Sequence, residues 1–167
     1  LKVSALEIKE ADSGTALLVA QPAPLPPADI MLLMARERLS AAGGSGTARF
    51  SIQTARLTRD IAAAGGVFNP ASENFRCVMR CQLEVLSAED GVVGSATAEV
   101  RRDLTGPVRD DTERAALAER VVKLAGQDLN IEFEYQVRRH LRGWLQLIAE
   151  PGETLPQPVE REALPAT

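Results

Sequence analysis

The stretch RRHLRGW, Arg138 to Trp144, holds the only histidine and the only tryptophan of a 167-residue chain. An imidazole among arginines could move protons near neutral pH or help hold an anion. Two further groups deserve the same question. Arg76 and Arg80 sit four apart in FRCVMRCQLEV, and Arg101 and Arg102 follow in VVGSATAEVRRDL. Guanidiniums gathered on one surface suit a lipid headgroup or an acidic partner. Cys77 and Cys81 are also four apart. In a strand they share a face but stand about 13 Å apart. A disulfide needs Cα atoms within about 7 Å, and CxxxC is not a usual metal spacing. Both read as buried free thiols acting as small apolar residues; in an oxidising compartment they must be well shielded.

Motif chemistry is otherwise thin. GxGxxG, GxxxxGK[ST], GxSxG, HExxH and CxxC do not occur. AAGGSG follows a helix and precedes a strand, the wrong order for a phosphate cradle. With one histidine, a nucleophile has one candidate base. Glu89-Asp90 and Asp110-Asp111 fall at turn and cap positions and need no catalytic role. The expectation is therefore no enzyme, with no catalytic, cofactor or metal residue. The named candidates are Arg76, Arg80, Arg101 and Arg102, as an anion or partner site. The same residues also suit a solvated strand face, with Glu84 and Glu99 as neighbours and long stems covering the sheet.

The elements that must position these residues follow from pattern. LKVSALEI reads as a first strand and ALLVAQP as a second. QPAPLPPAD, with four prolines, is an extended connector. ADIMLLMARERLSAA is a helix with Ile30, Leu33 and Met34 on one face, stopped by Gly43-Gly44. In TARFSIQTARLTRD, Ala48, Phe50 and Ile52 alternate and then slip to Ala55 and Leu57, as a bulge would cause. IAAAGGVFNPASEN reads as a loop. Phe75, Cys77, Met79, Cys81, Leu83 and Val85 form the inner face of a strand. SAEDG turns it back, and Ala96, Ala98 and Val100 continue inward on the partner until Gly106-Pro107 breaks the sheet. The small alanines leave room for a helix.

From Asp111 the pattern is helical. Thr112 reads as the cap, with Glu119–Lys123 and Glu134–Arg138 as (i, i+4) pairs. Leu117, Val121 and Leu124 form one stripe; Leu129, Phe133, Val137, Leu141, Trp144 and Ile148 form another. A straight helix of about 38 residues would span roughly 57 Å, so a break is expected near Gly126-Gln127-Asp128. LNIEFEYQV also alternates as a strand would, but the i+4 series favours helix. On that wheel the apolar residues of RRHLRGW point inward and the arginines outward, where cations suit a helix C-terminus. The stretch then reads as docked last turns, anchored by Trp144, with His140 at the edge.

Composition sets the class. The chain suits one domain with a real core: α+β, an antiparallel or mixed four- to five-stranded sheet with two main helices on one face. Residues 1–149 form that domain and 150–167 a Pro-rich disordered or extended tail. Net charge −4 and pI near 5.1 argue against a nucleic-acid partner. No run is long enough for a transmembrane helix. Oligomeric state is not legible.

With LKVSALEI opening the chain, ADIMLLMARERLSAAGG as first helix and FRCVMRCQLEVLSAEDGVVGSATAEV as hairpin, the order resembles small bacterial envelope lipoproteins of the LptE-like and ABC-transport auxiliary types. The resemblance covers Leu1 to about Ile148. It implies an exported, non-enzymatic accessory of lipid or lipopolysaccharide transport that binds an envelope protein or anionic lipid. It further implies a periplasmic location, anchored to the outer membrane through an upstream lipidated cysteine; no such cysteine is visible here. The alternative is a cytoplasmic protein–protein interaction module or homo-oligomer.

Overall fold

The computed structural model describes residues 1–9, 17–18, 25–62 and 72–146. The expected tail and most of the Pro-rich connector lie outside them. Five strands and two helices run in the order β1 (Ala5–Lys9), β2 (Leu17–Leu18), α1 (Pro27–Arg38), β3 (Thr47–Ala62), β4 (Ser72–Leu86), β5 (Val92–Pro107) and α2 (Asp111–His140). A short 3-10 turn, Arg142–Trp144, follows. β1 and β2 pair in parallel with successive parts of β3 along one edge. β3–β4 and β4–β5 are antiparallel. The result is a mixed sheet four strands wide, open rather than closed, with an α+β fold.

The hairpin forms as its alternation demands. Phe75, Cys77, Met79, Cys81, Leu83 and Val85 are fully buried, and Ala96 and Ala98 nearly so. α2 packs chiefly on β5 over those alanines. Asp90, at φ 58°, takes the left-handed turn position that aspartate tolerates better than most residues. The phase slip in β3 is a register shift between Ile52 and Thr54, with Gln53 as the extra residue. Both β3 and β4 run beyond their expected ends: Ile61-Ala62 and Ser72-Glu73-Asn74 are paired strand. The rest of the expected loop, residues 63–71, lies outside the described set.

Three expectations for the helices change. α1 ends at Arg38, before the glycines, and buries Met31, Met34 and Ala35. Leu33 faces solvent, because the helix meets the sheet through Met31 and Ala35. α2 is capped by Asp110, not Thr112: its Oδ1 accepts from Glu113 N at 2.8 Å, and Glu113 Oε2 accepts from Arg109 N at 2.9 Å. This reciprocal pattern resembles a capping box.

α2 also has no break at Gly126. Ala118, Val122, Ala125 and Gly126 are buried; Ala118 and Ala125 fill the arc between the two large-residue stripes and, with Val122 and Gly126 inside the second, merge them into one broad face. Gly126 is where α1 crosses. A Cβ there would lie 2.5 Å from Ile30 Cγ2. The 129–137 segment is helix, and Phe133 meets Phe50 edge-on with ring centroids 5.8 Å apart.

Candidate functional site

One face of the sheet carries both helices; no described element covers the other. Register alone places three cross-strand rows on this open face: Thr54–Arg80–Glu99, Arg56–Val78–Arg101 and Thr58–Arg76–Asp103. Val78 is the centre. Arg76 and Arg80 flank it two residues away on β4, and Arg56 and Arg101 lie directly across on β3 and β5. Opposed Cβ atoms in such rows stand about 5 Å apart, and same-face neighbours along a strand about 7 Å. Four arginine stems therefore enclose a half-buried valine.

Two carboxylates answer these four cations. Arg76 Nε donates to Asp103 Oδ1 at 2.6 Å, and Arg101 Nε to Oδ2 of the same group at 3.1 Å. These bonds, Arg76's first, hold the Asp103 carboxyl below its ordinary value of 3.8. Arg80 approaches Glu99 only to 3.6 Å, with both side chains about half exposed. Arg56 has no ion-pair partner among the described residues. The ring thus carries two positive charges in excess, on a chain of net charge −4. Its guanidiniums offer hydrogen-bond donors and no acceptor. Such a surface can hold carboxylates or phosphates bidentately.

The structure brings together Arg76, Arg80 and Arg101 and separates Arg102. Consecutive strand residues point to opposite faces, so Arg102 lies on the helix side. There it grips both oxygens of Asp128 on α2, at 2.7 and 2.9 Å. That bond raises its guanidinium above the ordinary value. Arg102 fastens α2 to β5 and is absent from the ring.

Arg56, which completes the ring, was missed by sequence reasoning. Its face depends on the bulge at Gln53, and the slip from Ile52 to Ala55 was the signal that could have placed it. A second charged cluster was also missed. Glu73, only 5% exposed, receives Arg114 Nε and Nη2 at 3.0–3.1 Å and Arg59 Nε at 3.0 Å. Arg114 also bonds Asp111. Two guanidiniums balance two carboxylates, tying the first turn of α2 to β3 and β4.

RRHLRGW does not converge on a site. His140, Arg138, Arg139 and Arg142 are exposed; Arg138 pairs with Glu134 at 2.7 Å, and Arg139 donates weakly to the Tyr135 hydroxyl. The anchor is Leu141, fully buried, more than Trp144. The tryptophan is half-buried against Gly94 because the helix ends at His140, before the ring could turn inward. Cys77 and Cys81 are free and fully buried; burial pushes each thiol up to about 12. No described helix is long and apolar enough to cross a membrane. Among the described residues no cluster of three metal-ligating side chains occurs.

No family model matches the chain, and no curated protein does. Solved structures with a similar outline include a minor lipoprotein from Acinetobacter baumannii, at 9% identity and TM-score 0.46, covering 83% of this chain and 92% of that one. A second is uncharacterized lipoprotein B from Nitrosomonas europaea, at 18% identity and TM-score 0.42, covering 81% and 83%. A third is rare lipoprotein B from Shewanella oneidensis, at 11% identity and TM-score 0.38, covering 83% and 92%. At these scores the likeness is one of outline only.

Proposed function

We propose that this chain is a non-enzymatic accessory domain of the bacterial envelope that binds an anionic partner on its open sheet face. The observation that carries the binding role is the ring of Arg56, Arg76, Arg80 and Arg101 around Val78, with only Asp103 and Glu99 among the described residues to balance it. The shared chemistry of the partner is a phosphate or carboxylate beside a small apolar group that can rest on the valine. The envelope placement rests on the element order set out above. It is compatible with the two thiols, which are shielded as an oxidising compartment requires.

The test is co-sedimentation of the protein with vesicles of anionic phospholipid, with lipopolysaccharide, and with beads bearing an acidic peptide. Arg56→Ala with Arg80→Ala removes the two least-paired cations of the ring. Binding in one of the three arms that falls about tenfold or more in this variant is the expected result; a loss of two charge-assisted contacts supports that size. The arm that responds names the source of the anion. Equal binding of wild type and variant in every arm would refute the ring as a site. Fractionation of cells expressing the full-length gene tests the placement, which fails if the protein stays in the cytosol.

A further inference from the structure

We infer that a second copy of this chain docks on the outer edge of β5, antiparallel, with Val100 opposite Val100. β5 ends the sheet, and no described strand pairs with its outer side. Sixteen residues of edge are a template for another strand unless something guards them. Charges in mid-strand are the usual guard, and here they complement themselves. With Val100 on the two-fold axis, Glu99 faces the other copy's Arg101 and Arg101 faces its Glu99. The same register pairs Val93 through Pro107 and leaves over just Val92 of the strand. A shift that centres Arg101 would instead oppose Arg101 to itself and Glu99 to Asp103. Centring Arg102 would shorten the overlap and oppose two arginines.

A second observation points to the same axis. Leu117, Leu124, Ile131 and Tyr135 recur along the side of α2 that overhangs β5. Leu117 packs on Gly106, and Asp128, in the same row, holds Arg102. Ile131 and Tyr135 are 70% and 54% exposed. α2 runs antiparallel to β5, from Leu117 at Gly106 to Leu141 at Gly94, so Ile131 lies near the level of Val100. Edge-to-edge pairing would bring the two overhanging rows together, with Ile131 close to its own copy. It would also join the two open faces into one. The Val78 rings would then lie about three strand spacings apart, roughly 14 Å.

Glu99 and Arg101 belong to both surfaces, so Ile131, Val100 and the Arg56→Ala/Arg80→Ala variant are what keep this test apart from the anion reading. Sedimentation of the full chain at about 0.1 mM should show a dimer. Arg101→Glu should weaken it about tenfold, since two facing pairs become repulsive. Adding Glu99→Arg should restore it. Ile131→Glu, at a solvent-exposed position of the protomer, should also weaken it. Under mild oxidation Val100→Cys should give a disulfide-linked dimer, because facing Cα atoms in an antiparallel pair lie about 5 Å apart; Thr97→Cys should not. A wild-type monomer at that concentration overturns the inference. So does a dimer that Arg101→Glu leaves intact, or one in which Thr97→Cys cross-links as readily as Val100→Cys. The Arg56→Ala/Arg80→Ala variant should dimerise as wild type does, whatever its ligand binding.

Discussion

At the scale of single residues, burial decides which side chains matter for stability. Glu73 holds two guanidiniums inside the rim of the core. Glu73→Ala leaves Arg59 without its ion pair and Arg114 with Asp111 alone, and should destabilise by on the order of 3 kcal/mol in a denaturant titration. Leu141→Ala empties a fully buried position and should cost about 3 kcal/mol. Trp144→Ala should cost less than that, and His140→Ala almost nothing. The thiols add a pH term. Each is neutral in the fold up to about 12 but ionises near 9.0 when unfolded. Their stabilising contribution is therefore complete below pH 9 and is lost as pH rises from 9 towards 12. At pH 10 it is reduced by up to about 1.4 kcal/mol per thiol. Between pH 8 and pH 10, Cys77→Ala with Cys81→Ala should lose less stability than wild type does. Asp103 has the opposite sign: with its carboxyl held low, its contribution is present above pH 3.8 and fades as pH falls through the lowered value.

At the scale of elements, the α1–α2 crossing is the most specific contact. Gly126→Ala gains about 1 kcal/mol of helix propensity, yet its Cβ runs into Ile30 Cγ2, a branched position that cannot swing clear. The net effect should be destabilising by about 1–2 kcal/mol. In an Ile30→Ala background the same substitution should become stabilising; that change of sign in a double-mutant cycle is the check. These elements also show what the sequence made legible. β4 and β5 were plain because one face is buried and the other wet, so alternation is strict. The bulge at Gln53 was plain for the same reason. α2 was misjudged because Ala118, Ala125 and Gly126 carry little hydrophobic signal while occupying the most crowded arc. The face of α1 was misjudged because Ile30, Leu33 and Met34 are equally apolar and only the docking geometry separates them. Of the candidate site, Arg76, Arg80 and Arg101 were legible from strand parity. Arg56 needed the β3–β4 register, and Arg102 was grouped wrongly because adjacency in sequence is opposition in a strand.

At the scale of the whole molecule, the described residues form a sheet covered on one side. The covered side holds the buried apolar core of the described residues, locked at one end by Arg59–Glu73–Arg114 and at the free edge by Arg102–Asp128. The uncovered side carries paired charges and one excess of arginine, at Val78. The most direct measurement of that claim is an amide NMR titration of the full chain with anionic phospholipid, lipopolysaccharide and an acidic peptide in turn. For the ligand that binds, shifts should concentrate at Arg56, Arg76, Val78, Arg80 and Arg101 and be lost in Arg56→Ala/Arg80→Ala. Shifts confined to the helical side, or unchanged in that variant, would contradict it.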